Sequence, residues 1–267
     1  MDRLTHGEHT TQLIYTPSFS CLGVSSLPSV LALTDLGWHL LEREHDGALR
    51  GSGARHAQTL WFELSNVLLL GRLRIAYAVD GATAHATIEF NTVMNALYVE
   101  AIYRLLRAAP DEPVAEDAGL SVSFAQLEAL PYKFRSALMD FTPPGEALTA
   151  LHAWPTTHRR IALWWKREVA PAGVIALTAR TLLLVRDETV PAALRRGTAR
   201  YGKLAHFMVR SGELEAQIAA SNGIANMRFR VHRGSDTAAL QVDVPRSSEA
   251  ALRSLLARHC TPVSINA

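Results

Sequence analysis

The chain has 267 residues, 27 Lys+Arg against 25 Asp+Glu, and 48% apolar side chains. That composition supplies a sizeable core and excludes wholesale disorder. The longest apolar runs, Val67–Leu70 and Ile161–Trp165, fall far short of the roughly 20 residues that span a bilayer.

The first 25 residues set acids and histidines ahead of a broken apolar stretch, unlike a signal peptide. Cys21 and Cys260 are the only cysteines, too few for a disulfide framework. A cytoplasmic location is therefore expected. Charge is unevenly spread: residues 1–110 carry −2, residues 111–150 carry −5 and residues 151–267 carry +9. Segments of opposite sign either balance each other within one molecule or leave the C-terminal part facing an anionic partner.

In chain order, Gln12–Thr16 reads as a first strand, followed by the block VLALTDLGWHLLERE at 30–44. Gly51-Ser52-Gly53 lacks phosphate-loop spacing and reads as a flexible loop before a strand at Thr59–Leu64. Residues 73–90 form a hairpin pattern. Leu73, Ile75 and Tyr77 alternate, Asp80-Gly81 turns the chain, and Ala86, Ile88 and Phe90 alternate again. Asn91-Thr92 are N-cap candidates for a helix whose buried stripe is Tyr98, Ala101, Ile102 and Leu105.

Prolines and acids from Ala109 to Asp117 mark a linker. Residues 121–141 show helical spacing broken at Pro131, and Pro143-Pro144-Gly145 ends it. This connector is expected to pack against what lies on both sides.

The rest of the chain repeats the first part. Residues 174–188, VIALTARTLLLVRDE, align without a gap to 30–44, at an offset of 144. Residues 227–244 align to 73–90 at an offset of 154, with Met227, Phe229 and Val231, then a turn at Gly234-Ser235-Asp236, then Leu240, Val242 and Val244. Leu252, Leu255, Leu256 and His259 repeat the helical stripe at the same offset. A strand at Ala147–Leu151 matches the one at 12–16, and Tyr201–Val209 is matched to Thr59–Leu64. Ile88, Phe90, Val242 and Val244 are expected in the core.

These blocks, together with LLLGRLRIAYAVDG and IEFNTVMNALYVEAIYRLL in the first copy and WWKREVAPAGVIALTARTLLLVRDE and RYGKLAHFMV in the second, resemble the tandem pleckstrin-homology-like (PH-like) repeats of uncharacterised bacterial proteins. The resemblance covers most of 12–108 and 147–260. It implies an α+β, mainly β fold: two bent antiparallel sheets or barrels, each capped by a C-terminal helix. The units are expected at 10–109 and 147–262, with an acidic, partly helical connector at 110–146. The resemblance implies no particular activity, since such folds host lipid, peptide and protein binding.

No catalytic motif stands out. There is no G-x-S-x-G elbow, and Cys260 beside His259 in sequence is not a dyad in space. His6 and His9 with Glu8 offer no fourth ligand for zinc, so neither metal nor cofactor is expected. His39, His45, His56, His152 and His158 read as surface or satisfied histidines.

One constellation is singled out: Arg159, Arg160, Trp164, Trp165, Lys166 and Arg167. Indole and cation together suit a membrane interface or a protein partner, and nucleic acid less well. They equally suit an internal contact. The expected function is a non-enzymatic cytoplasmic binding or scaffolding protein, either free or peripheral at an anionic membrane. The alternative is an enzyme whose site forms between the two repeats.

Overall fold

In the computed structural model the described residues are 5, 7–21, 24–109, 121–160, 166–188, 202–209, 214–221, 224–233 and 236–262. The first half opens with β1 (Thr10–Thr16), a small hairpin β2 (Phe19–Cys21) and β3 (Val24–Ser26), then β4 (Ser29–Thr34), β5 (Gly37–Arg43) and β6 (Leu49–Arg55). A second meander follows, β7 (Thr59–Val67), β8 (Leu70–Val79) and β9 (Ala82–Asn91), and then helix α1 (Asn95–Ala108). The connector carries α2 (Phe124–Glu128) and α3 (Tyr132–Phe141). Pro131 lies between them and serves as the N-cap of α3, as its fixed φ allows.

The second half runs β10 (Ala150–Trp154), the hairpin β11 (Thr157–Arg160) and β12 (Lys166–Ala170), then β13 (Gly173–Leu177), β14 (Thr181–Asp187) and β15 (Gly202–Val209). It closes with β16 (Leu214–Ser221), β17 (Ile224–Arg233), β18 (Asp236–Pro245), helix α4 (Glu249–His259) and the two-residue β19 (Thr261–Pro262). Each half is thus four meandering strands, three more, and a helix entered through a 3-10 turn, at 92–94 and 246–248.

The sheets are open rather than closed barrels. β1-β4-β5-β6 form one sheet and β18-β17-β16-β19 another. Between them lies a seven-stranded sheet in the order β10-β13-β14-β15-β7-β8-β9. It joins the second half's first meander to the first half's second meander through the antiparallel pair β15·β7. Both faces of this sheet are covered, and alternate residues serve opposite faces. Phe62, Leu64, Leu183, Val185, Ala205 and Phe207 face a core built with α1, the connector and the first sheet. Trp61, Leu182, Leu184 and Met208 face a core built with β16–β18 and α4. A strand buried on both sides reads as a continuous apolar run, which is why 182–185 is Leu-Leu-Leu-Val.

Ile88, Phe90, Val242 and Val244 are all buried. The connector packs on both sides of the junction. Phe141 meets Phe207 edge-on at 5.6 Å, Lys133 Nζ donates to Asp187 Oδ1 at 2.6 Å, and the Tyr103 hydroxyl of α1 donates to the Asp140 carbonyl at 2.8 Å.

Three expectations need correcting. Leu49–Arg55 is an edge strand rather than a flexible loop, because pairing with β5 overrides the low strand propensity of its glycines. The counterpart of β7 is β16, not β15: the offset of 154 that relates β8 to β17 carries 59–67 onto 213–221. β15 instead corresponds to β6, and β15 and β7 pair with each other. The strand expected at 147–151 is found at 150–154.

The duplication extends to a block not read in the sequence. Gly7-Glu8 and Thr11 recur as Gly145-Glu146 and Thr149. Both glycines have left-handed φ, 82° and 86°. Thr11 and Thr149 each donate to a carbonyl, of Leu33 and Leu177, at 3.2 Å. Glu8 accepts the Thr34 hydroxyl at 2.6 Å, and Glu146 accepts that of Thr178. Each threonine oxygen in turn accepts backbone N–H groups of the following turn, from Gly37 at 3.0 Å and from Thr181 at 2.8 Å.

The two halves differ where β7 turns into β8. Leu68 takes φ 54° there, and Leu68 and Leu69 are both exposed, beside exposed Val93 and Leu97. Thr92 ties the turn down, its hydroxyl to the Leu68 carbonyl and its N–H to the Leu69 carbonyl. At the equivalent places the second half has Asn222, Gly223, Ser247 and Ala251. A branched side chain at positive φ costs roughly 1–2 kcal/mol. Leu68→Asn should therefore raise stability by about 0.5–1 kcal/mol in urea unfolding. A loss of stability instead would mean that the leucine side chain packs in the fold.

Candidate functional site

One row of residues crosses all seven strands of the central sheet: Trp154, Gly173, Arg186, Leu204, Ser65, Arg72 and Glu89. Two residues further along the strands, on the same face, runs Leu184, His206, Glu63 and Arg74. These two rows bring polar and charged side chains together at the junction of the halves, from fully buried His206 to Arg72 and Arg74, which are 40% and 41% exposed. Glu63 accepts from Trp61 Nε1 at 3.0 Å and from Arg74 Nη1 at 3.4 Å. His206 Nε2 lies 3.8 Å from Glu63 Oε1. Ser65 donates to Glu188, and the Glu188 N–H donates to the Gly202 carbonyl at 3.1 Å.

Burial governs the electrostatics. His206 is 1% exposed. Its pKa falls to about 3, chiefly from desolvation and then from the positive charges of Arg186 and Arg74. A neutral imidazole 3.8 Å from a carboxylate is not an ion pair. Desolvation also pushes the Glu188 carboxyl up, with the Ser65 hydrogen bond opposing it. Arg186 is pushed down by burial against the pull of Glu63, Glu188 and Asp243. His206 Nδ1 and Arg186 Nε have no hydrogen-bond partner among the described residues. The cluster holds titratable groups of both signs: His206 and Glu63 lie between the packed sheets, while Arg72 and Arg74 reach solvent.

The open grooves lie away from His206 and Glu63. One of about 610 Å³ runs over β5 and β6, along His39, Leu41, Gly51, Gly53 and Arg55. A second, of about 590 Å³, is lined by Ser26, Glu42, Glu44, Asp46, Arg50 and Glu89. A third, of about 360 Å³, sits between His56 and Arg104. Glu63, Arg186, Glu188 and His206 line none of the three. Among the described residues no group of three His, Cys, Asp or Glu is placed to hold a metal ion. Among them, too, no helix is long and apolar enough to cross a membrane.

The basic residues singled out in the sequence share one two-stranded ribbon. Arg159 pairs with Arg167 and Arg160 with Lys166 across β11 and β12. Trp164 and Trp165 lie outside the described residues. The ribbon leaves the central sheet just after Trp154, at the end of the sheet where Leu68 and Leu69 turn. Trp154 itself is structural: it is 3% exposed and donates through Nε1 to the Pro171 carbonyl at 2.9 Å.

Of the histidines expected to be on the surface or satisfied, His152 departs from that reading and His39 keeps to it. His152 stacks on Trp154 at 6.5 Å. Its Nε2 is buried without a hydrogen bond among the described residues, and desolvation lowers its pKa. His39 lies 2.9 Å from Glu8, the acid that also anchors Thr34. The junction cluster was missed because its members are scattered from 61 to 206. Its signal was a charged or polar residue inside an otherwise apolar strand, Glu63 in LWFEL and His206 in LAHFMV.

No protein-family model matches the sequence, and the comparison with curated proteins gives no match.

Proposed function

We propose that the chain is a binding or scaffolding protein built from two PH-like units, with no catalytic step of its own. The observation that carries this reading is the recurrence of four strands, three strands and a helix in both halves. A PH-like unit has that strand order. His206 and Glu63, the pair best placed for catalysis, are packed between sheets and line none of the open grooves. Folds of this kind bind partners through exposed edges and loops.

Affinity capture of the full chain from its native cell, with co-purifying proteins and lipids identified, tests the reading. A companion in constant ratio is expected. The second reading, an enzyme with its site at the junction, rests on the His206, Glu63, Arg186 and Glu188 cluster. A metabolite consumed by the wild type and spared by Glu63→Gln would establish it and overturn the first.

The β11–β12 ribbon is the proposed contact with an anionic membrane surface. Each basic residue near such a surface is worth about 1 kcal/mol. Changing Arg159, Arg160, Lys166 and Arg167 together to Ala should abolish pelleting of the full chain with anionic liposomes. Raising the salt should weaken wild-type binding, since the Debye length falls from about 10 Å at 0.1 M to about 3 Å at 1 M. Equal pelleting with neutral and anionic vesicles sinks the membrane contact and leaves the ribbon as an internal one.

A further inference from the structure

The first half's four-stranded sheet ends on β6, and among the described residues the outer edge of β6 pairs with nothing. In the second half the same edge is filled. β15 stands where β6 stands: His39 faces Gly53 across β5·β6, and Leu183, the counterpart of His39, faces Phe207 across β14·β15. Against β15 lies β7, with Phe62 opposite Phe207, Glu63 opposite His206 and Leu64 opposite Ala205.

Carried over to β6, that register puts Gly53, Ser52 and Gly51 where Phe207, His206 and Ala205 stand. The exchange of side chains has a physical consequence. In the second half this face is apolar and lies under α3 and α1. In the first half His39, Gly51 and Gly53 replace Leu183, Ala205 and Phe207, and the missing side chains leave the trough of about 610 Å³. A Cβ on Gly53 would meet the Trp38 carbonyl of β5, whereas one on Gly51 meets nothing among the described residues, so the trough is open over Gly51. The Ser52 hydroxyl between them is buried and has no hydrogen-bond partner among the described residues. Arg50 and Arg55 stand exposed on either side of the stretch.

The geometry points to a strand-addition site: the outer edge of β6 takes an extended segment of a partner protein, antiparallel, with an apolar–acidic–apolar core. Arg55 gives its N–H to Gln58 and its carbonyl accepts from Thr59, so the outward N–H and C=O groups before Arg55 supply the ladder. The two apolar side chains lie over Gly53 and Gly51, as Phe62 and Leu64 lie beside Phe207 and Ala205. The carboxylate between them falls beside Ser52, as Glu63 falls beside His206. The two arginines attract further acids that flank the segment. This assignment rests on the reading of the chain as a binding protein and names one partner class for it.

The test uses the full chain and a fluorescein-labelled peptide with the sequence of residues 59–67, the strand that fills the equivalent edge. Fluorescence anisotropy should show saturable binding. A peptide with Phe62→Ser and Leu64→Ser should bind at least about tenfold more weakly. A blocked edge is made with Gly51→Trp, because a Cβ on Gly51 meets nothing within 4 Å. Gly53 is unsuitable, since a Cβ there would lie 2.8 Å from the Trp38 carbonyl oxygen. The Gly51→Trp chain should melt like the wild type and lose binding by about tenfold or more. Equal binding of both peptides, or binding unchanged by Gly51→Trp, overturns the site. Self-association abolished by Gly51→Trp in light scattering overturns it in favour of a second copy of this chain. Absence of peptide binding also overturns it, while companions found by affinity capture judge the wider reading separately.

Discussion

Phe207→Ala should lower the stability of the whole chain by roughly 3–5 kcal/mol, as truncation of a core phenylalanine does. Phe207 is fully buried and stands at a three-way contact. It pairs with Phe62 of the first half, belongs to a strand of the second, and meets Phe141 of the connector edge-on. The cavity cannot close easily, because its walls come from two sheet halves and a helix, each held by hydrogen bonds elsewhere. The shape of the transition is as informative as its midpoint. One sheet runs across both halves, so urea unfolding should remain a single transition followed alike by tryptophan fluorescence and far-ultraviolet circular dichroism. Two separated transitions in the wild type, with Phe207→Ala shifting only the second, would mean that the halves unfold independently and that β15·β7 adds little.

The parts legible in the sequence were those with local periodicity. The hairpin at 73–90 carries period-two alternation around Asp80-Gly81, and both turn residues have the positive φ that this pair favours, 49° and 78°. Its copy at 224–245 could be found because no insertion separates strand, turn and helix. Legibility failed where pairing is non-local. β6 reads as a loop because Gly51 and Gly53 carry no β propensity, and only its partner β5 makes it a strand. The identity of β15 was lost because 189–201 has a different length from the equivalent link in the first half. The Glu8–Thr34 and Glu146–Thr178 anchors did have a signal, the shared Gly-Glu and Thr at an offset of 138. It differs from the two offsets already found, so it is easily passed over. The site residues selected in the sequence form a contiguous run, whereas the polar cluster at the junction draws on five strands and becomes visible only when β15 is laid against β7.

That cluster makes the protein sensitive to acid, with a sign that can be worked out. An unfolded chain carries histidine at its ordinary pKa of about 6.5. In the fold, desolvation beside Arg186 and Arg74 holds His206 at about 3. Between those values the unfolded chain binds a proton that the folded chain refuses. Stability from this residue is therefore complete above pH 6.5 and is lost progressively as pH falls towards 3, at ~1.4 kcal/mol per pH unit. His56, His85 and His152, also pushed down by burial, add the same sign. Glu188 and Glu42, pushed up by burial, act in the opposite sense, since the folded chain takes up their protons first. His206→Leu isolates the one contribution: subtracting its urea-derived stability from that of the wild type at each pH cancels the other groups. The difference should change by several kcal/mol between pH 7 and pH 4, with the variant the less acid-sensitive. Parallel curves would show that His206 takes up its proton in the fold as readily as in the unfolded chain, and a difference of the opposite sign, the wild type gaining as pH falls, would mark a charged pair with Glu63 at 3.8 Å. In that case the junction would hold a charged dyad, and the enzyme reading would gain the ionisable group it needs.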